Sequence, residues 1–290
     1  MSAYLLERLD ALLTEHDIGY LKWDHNRDLV DAGRAGPQER GRPGVHTQTL
    51  ALYALLDELR RRHPGVEIES CASGGARVDL GILQRTDRVW TSDCNDALER
   101  QAIQRWTGVF LPPELIGAHV GAARSHTTGR AQTLSFRAVT ALFGHQGLEW
   151  DLAAATGAER AAVATWLAFV RDWRAVLHGG TVVRADLADP AAWLHGVVGK
   201  DRALYAFVQL ATSALAVPEP ARLPGLDPDR RYAVRPADPA GPPEPAGHAP
   251  PAWLAGGVEL PGRVLEAVGL PMPVLHPEEA FLLTVTAIRT

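Results

Sequence analysis

At 290 residues, 46% of them hydrophobic and 22% charged, the chain is long enough for one large domain plus a small one, and its composition excludes disorder as the default state. A net charge of -5, with acids and bases interspersed, supplies no basic stripe for phosphate backbones and no polybasic membrane patch, so neither nucleic acid nor a membrane is expected as a partner. No stretch has the apolar length of a membrane span, the first residues read as an amphipathic helix rather than a signal peptide, and Cys71 and Cys94 make no disulfide framework or zinc pattern, so a cytoplasmic protein with reduced thiols is expected.

The predicted elements begin with a helix over residues 5–13 and a strand over 19–23. A helix over 49–61 is the clearest of all, with Leu50, Leu52, Tyr53, Leu55, Leu56 and Leu59 forming one apolar face. Strands follow at 66–70, 89–92, 116–119 and 147–152, and helices at 97–110, 134–143 and 158–177. Strand and helix in alternation imply a parallel sheet with helices outside it. After Gly179-Gly180 the texture changes to short β-branched or aromatic runs at 181–183, 194–198, 203–208 and 281–287. Residues 217–251 hold most of the prolines and read as loops around edge strands, because proline cannot serve a central ladder. The expected fold class is therefore α/β. A partial (β/α)8 TIM barrel of about five βα units, residues 1–178, precedes a small antiparallel β-sandwich domain, residues 179–290. A closed barrel needs about eight such units, so the chain looks incomplete.

Three segments carry chemistry. The first strand closes on Lys22-Trp23-Asp24-His25-Asn26, and alternation turns Lys22 and Asp24 to one face and Trp23 to the other. The ammonium is then expected beside the carboxylate, keeping it ionised for attack on an anomeric carbon. The same pentapeptide also suits a salt-bridged strand end in which Asp24 or Asn26 caps the next helix. The second segment, residues 69–79, breaks the second strand with small residues. Gly74 and Gly75 lack a Cβ, so their amides can face ligand hydroxyls while Cys71 and Ser73 offer small polar surfaces; the alternative is a tight turn with Arg77 and Asp79 as a structural pair. In the third segment, residues 90–100, Asn95 or Asp96 suits the cap of the following helix and leaves Asp93 as a free carboxylate, unless Asp93 is itself a cap. Asp24 and Asp93 would then stand at the same end of nearby strands, where two carboxylates can flank a glycosidic bond.

Together these segments closely resemble the catalytic region of family 36 of the glycoside hydrolases, the microbial α-galactosidases. The resemblance lies in Lys22-Trp23-Asp24, in Cys71-Ala72-Ser73-Gly74-Gly75 ahead of Arg77 and Asp79, and in Trp90-Thr91-Ser92-Asp93 ahead of Asp96-Ala97. It continues through Gly117-Ala118-His119-Val120, His126-Thr127-Thr128-Gly129-Arg130 and Glu149-Trp150-Asp151-Leu152. It implies that Asp24 is the nucleophile and Asp93 the general acid/base. Lys22, Trp23, His25, Asn26, Cys71, Ala72, Ser73 and Gly74 would line the galactose pocket, with no metal and no cofactor. His25 stands where many relatives have methionine, and Ala76, where many have glycine, adds a Cβ to a tight loop. For His119 and His126 the expectation is packed or hydrogen-bonded side chains. The resemblance also implies that full-length relatives carry a β-sandwich and three further barrel strands ahead of this chain's first residue.

The implied activity is that of a retaining α-galactosidase. Asp24 would attack the anomeric carbon of a terminal α-galactoside while a protonated Asp93 serves the leaving oxygen, and Asp93 would then activate water against the galactosyl-enzyme. Transfer of the galactosyl group to another sugar is the same chemistry with a different acceptor, and a homo-oligomer is compatible with it. Of a different class is a non-catalytic, galactose-binding remnant, because five of eight strands leave open sheet edges. A metal hydrolase built on Asp24, His25, Cys94 and His119 has no compact ligand motif to support it.

Overall fold

The computed structural model describes residues 2–26, 42–243, 246–247 and 249–288. The chain divides into two compact units, residues 1–93 with 115–117, and residues 94–114 with 118–290.

In the first unit, α1 (Ser2–Glu15) leads into β1 (Tyr20–Asp24), followed by α2 (Val45–Arg62), β2 (Glu67–Cys71), α3 (Leu80–Leu83) and β3 (Arg88–Trp90). The strands are parallel. Lys22 lies opposite Glu69 and Asp24 opposite Cys71 between β1 and β2; Glu69 lies opposite Arg88 between β2 and β3. The apolar face of α2 explains the packing: Leu55 and Leu59 meet Leu13 of α1, and Leu56 meets Ile68 and Ile82, with Trp23 joining both clusters. The four-residue α3, absent from the sequence reading, is started by Asp79, whose carboxylate accepts the Ile82 amide.

β4 (Ile116–Gly121) begins in the first unit, pairing Val89 with Ile116 and Trp90 with Gly117, and ends in the second. The parallel sheet runs β1-β2-β3-β4-β5, with β5 at His145–Glu149, and forms part of a barrel. The second unit adds α4 (Ala97–Thr107), α5 (Leu134–Leu142) and α6 (Gly157–Gly179). The last expected parallel strand, 147–152, ends early because Asp151 turns the chain, accepting the amides of Ala153 and Ala154.

The antiparallel part is one six-stranded sheet in the order β10-β9-β11-β8-β7-β6. Its strands are β6 (Thr181–Ala185), β7 (Ala192–Val198), β8 (Arg202–Gln209), β9 (Arg231–Ala237), β10 (Val258–Pro261) and β11 (Glu279–Ala287), with the short α7 (Gly262–Ala267) after β10. One face packs Leu204, Ala206, Val208 and Leu282 against Phe136 and Leu142 of α5 and Trp166, Val170 and Trp173 of α6. The other packs Tyr205, Phe207 and Leu283 against Leu223, Leu226, Leu265 and Met272. The proline-rich region holds more than edges and loops: β9 lies inside the sheet, between β10 and β11. Its Pro236 pairs with Leu283 on β11 but falls beyond the residues of β9 that β10 engages, 231–234, so the missing N–H interrupts no ladder on that side.

Candidate active site

The carboxyl ends of β1 and β2 are tied together by backbone and side chain. The His25 amide donates to the Cys71 carbonyl at 3.1 Å. Arg77 reaches back to donate to the carbonyls of Trp23 (3.0 Å) and Cys71 (2.8 Å) and, through Nε, to Ser70 Oγ (3.2 Å). Arg77 is therefore a clip across two strand ends rather than a partner for Asp79, which accepts from the Ile82 amide at 2.8 Å and the Tyr53 hydroxyl at 2.9 Å.

Asp24 projects from this clipped end. Its Oδ2 accepts from Asn26 Nδ2 at 2.9 Å, and Asn26 Oδ1 in turn accepts from the Ser73 amide at 2.6 Å. The helix-capping alternative for Asp24 or Asn26 falls on a helix outside the described residues. Burial disfavours the charged form of Asp24, but bonds from Asn26 and Cys71, the Lys22 charge and the His25 amide outweigh it and hold the carboxyl below its ordinary range.

Cys71 lies opposite Asp24 in the register and faces the same side. Its Sγ donates to Asp93 Oδ1 across 3.9 Å, and the thiol also lies near enough to Asp24 to favour that carboxyl's charged form. Burial first, with the Asp24 charge adding to it against the Gly74 amide and Lys22, pushes the thiol up to about 11, so it stays protonated and donating at neutral pH. Both carboxylates thus converge on one sulfur.

The glycine pair also has a packing task. Gly74 has φ +77°, and a Cβ there would stand 2.4 Å from Ser92 Cα; at Gly75 it would stand 2.7 Å from the Thr91 carbonyl oxygen. The glycines let the 71–75 loop press against the segment that carries Asp93, a close approach that any Cβ would block. Ser73 shares the left-handed region at φ +48° while donating to Asn26.

Lys22 is not in direct contact with Asp24, contrary to what alternation suggested. Its ammonium pairs with Glu69 Oε1 at 3.7 Å and lies 4.6 Å from the centre of the Trp90 ring, and it reaches Asp24 only as a longer-range charge. Of the other expected pocket residues, Asn26, Cys71 and Ser73 gather around Asp24, and Ala72 and Gly74 form the loop beside them. The Trp23 side chain does not join them; it packs among Leu13, Leu55 and Leu59. His25 lines a cavity of about 630 Å³ with Trp23, Tyr53, Ala76 and Arg77; Asn26, Ala72 and Ser73 line it too, while Asp24 and Asp93 do not.

The melibiase family model matches residues 1–180, well over half of the chain. This chain belongs to the melibiase family. It is 43% identical to the α-galactosidase of Escherichia coli over 290 residues, covering 97% of this chain and 40% of that protein. Its fold matches a variant of the α-galactosidase AgaA from Geobacillus stearothermophilus, solved with raffinose, at a TM-score of 0.86 and 28% identity, over 99% of this chain and 38% of that one. A second AgaA variant, solved with stachyose, matches at 0.84 and 29%, again over 99% and 38%. The chain spans about two fifths of the length of the Escherichia coli relative and of the AgaA structures.

In the second unit Asp96, not Asn95, caps α4, accepting the amides of Leu98 and Glu99. Its buried carboxylate also takes Thr128 Oγ1, Arg130 (2.7 Å) and Gln132 Nε2 (3.2 Å), which explains the Thr-Thr-Gly-Arg segment. Asn95 instead donates to Glu149 Oε2 at 3.1 Å, and His119 Nδ1 faces the same oxygen at 3.4 Å. His126, expected to be packed or bonded, is exposed. Both cysteines are free thiols, and among the described residues no three His, Cys, Asp or Glu side chains gather as a metal site. Sequence reasoning missed two residues, Arg77 as the clip and Glu69 as the partner of Lys22. The alternation that turned Asp24 toward Lys22 also places Glu69 and Cys71 on one face of β2, and that signal was available.

Proposed function

We propose that this chain carries the two catalytic carboxylates of a retaining α-galactosidase, Asp24 as nucleophile and Asp93 as general acid/base. The observation that supports this most is the convergence of both carboxylates on the Cys71 thiol, with Asp24 held ionised and tied to Asn26. An ionised Asp24 attacks the anomeric carbon, and Asp93 delivers a proton to the departing oxygen; the galactosyl ester then yields to a water that Asp93 deprotonates, with net retention. The Cys71 thiol has one hydrogen and serves one carboxylate at a time. It can follow the negative charge as that charge leaves Asp24 on forming the ester and appears on Asp93 after proton donation. The raffinose and stachyose seen in related structures support α-galactosides of sucrose-based oligosaccharides as the substrate class.

The test is turnover of an aryl α-galactoside by the purified chain, with NMR of the first anomer released. α-Galactose first supports the reading; β-galactose first, or no turnover by the folded chain, overturns it. Asp24→Ala should abolish turnover, whereas Asp93→Ala should lose most on substrates with poor leaving groups. Equal residual activity of the two variants on good and poor leaving groups contradicts the assigned roles.

A further inference from the structure

Beneath Asp24 lies a carboxylate that this reaction does not use. Glu69 is fully buried, and among the described residues neither of its oxygens has a hydrogen-bond partner. A buried carboxylate without a cation is strongly disfavoured, so the side chain that neutralises it is held in return. That cation is Lys22, 3.7 Å from Oε1. Arg88, opposite Glu69 in the register, pairs with Glu67 instead. The place is shaped for the carboxylate. A Cβ on Gly117 of β4 would stand 3.0 Å from Glu69 Oε2 and 3.1 Å from Trp90 Cε3, so glycine there leaves both side chains room that a larger residue would take up. The Trp90 indole offers its π-face to the same ammonium at 4.6 Å.

We propose that Glu69 is a positioning residue that acts through Lys22: it holds the ammonium down over Trp90 and off Asp24, leaving the nucleophile charged but not locked in an ion pair. This deepens the reading above and rests on it in calling Asp24 the nucleophile. Lys22 and Asp24 share one face of β1 two residues apart, and a direct pair between them would engage an oxygen that must attack carbon. With Glu69 below, Lys22 contributes its field without contact. The groups facing Asp24 are Lys22 on its own strand, Cys71 and Glu69 on β2, and Asp93 across the thiol; those facing Glu69 are Lys22, Tyr20 and Arg88.

The test is a double-mutant cycle on the titration of the Asp24 carboxyl, followed by NMR in the free chain labelled at aspartate carboxyl carbons and assigned with Asp24→Asn. In Glu69→Gln the freed ammonium moves to Asp24, and the Asp24 midpoint falls by about one pH unit. In Lys22→Met the midpoint rises. In the Lys22→Met background Glu69→Gln changes nothing further, because Glu69 acts only through the lysine. An equal fall in both backgrounds shows that Glu69 acts by its own charge, and an unmoved midpoint in Glu69→Gln shows no action at all; either overturns the proposal. Lys22 is partly exposed, so losing Glu69 leaves no buried cation behind. Should Glu69→Gln fail to fold, the wild-type Lys22 ammonium is measured directly: restricted rotation and slow proton exchange support the proposal, and a free, fast-exchanging ammonium overturns it. None of these readouts needs turnover. A chain that titrates as stated yet cleaves no α-galactoside defeats the proposed function and leaves the Glu69 inference standing.

Discussion

Strands β1 and β8, one from each compact unit, solve opposite problems. β8 is buried on both faces, with Ala203, Tyr205 and Phe207 entering one apolar cluster and Leu204, Ala206 and Val208 the other. β1 lies at the end of its sheet, buries Trp23 among leucines on one side, and shows Tyr20, Lys22 and Asp24 on the other. A strand that must place charge near water gives up apolar packing on that face and is held by other means, here the Arg77 clip and the Asn26 bridge. Stability and chemistry are thereby assigned to different strands, and mutations should separate them.

The largest separation is expected from one variant in each strand. Asp24→Ala should reduce turnover on the order of 10⁴-fold or more while leaving thermal unfolding nearly unchanged, since its side chain is exposed and packs against no core. Phe207→Ala should do the reverse, lowering stability by about 3–5 kcal/mol through lost burial and a cavity, with no change in the Asp24 titration. A kinetic defect in Phe207→Ala larger than its unfolded fraction explains would break the contrast.

The contrast sharpens under acid. On β7, His195 stacks edge-on against Phe143, and burial, then the Arg105 and Arg184 charges, push its pKa down to about 4 from 6.5. The folded state prefers the neutral ring, while the unfolded chain takes up a proton once the pH falls below 6.5. Stability is therefore lost progressively as pH drops from 6.5 toward 4, by about 3 kcal/mol over the window. Urea unfolding at pH 7 and 4.5 measures the loss, and His195→Gln should remove most of the pH dependence. Asp24 has the opposite tuning. Its carboxyl lies below the ordinary value, so acid that weakens the antiparallel sheet leaves the nucleophile ionised.

Smaller in energy is Gly74→Ala, which meets Ser92 Cα and requires a left-handed backbone that alanine resists. About 1–3 kcal/mol of strain is expected. Because the loop abuts the Asp93 segment, the variant should lose activity beyond its loss of stability. A Gly74→Ala chain of full activity would show that the close approach does not place Asp93.

These cases also show what the sequence could reveal. Alternation along β1 put Lys22 with Asp24 and set Trp23 apart, and the leucine stripe of α2 announced its core; both are local patterns. The close approach at Gly74 and Gly75, the Arg77–Asp79 pair and the edge position of β9 depended instead on which distant backbone comes near. Thr91 and Ser92 lie against the 71–75 loop, the Trp23 carbonyl lies within reach of Arg77, and β10 stops short of Pro236. The partner of Lys22 was only half legible: alternation placed Glu69 on the right face of β2, but did not choose it. Two carboxylates, Asp24 and Glu69, share its face, and only the register with Trp90 and Gly117 decides between them.

The smallest effect concerns a feature that is local and exposed. Helix α6 starts at a reciprocal cap, with Thr156 Oγ1 accepting the Glu159 amide at 3.2 Å and Glu159 accepting the Thr156 amide at 2.8 Å. Thr156→Ala removes one acceptor, but water can reach the freed amide, so the loss should be about 1 kcal/mol. Glycine at the same place should lose only a few tenths of that scale, because it too adopts the cap backbone. Thermal unfolding of the two variants checks the order. If alanine has no effect, the helix start is held by the burial of Trp166 and Trp173 further along, and its cap is decoration on a core that, as in β8, is set by apolar contact alone.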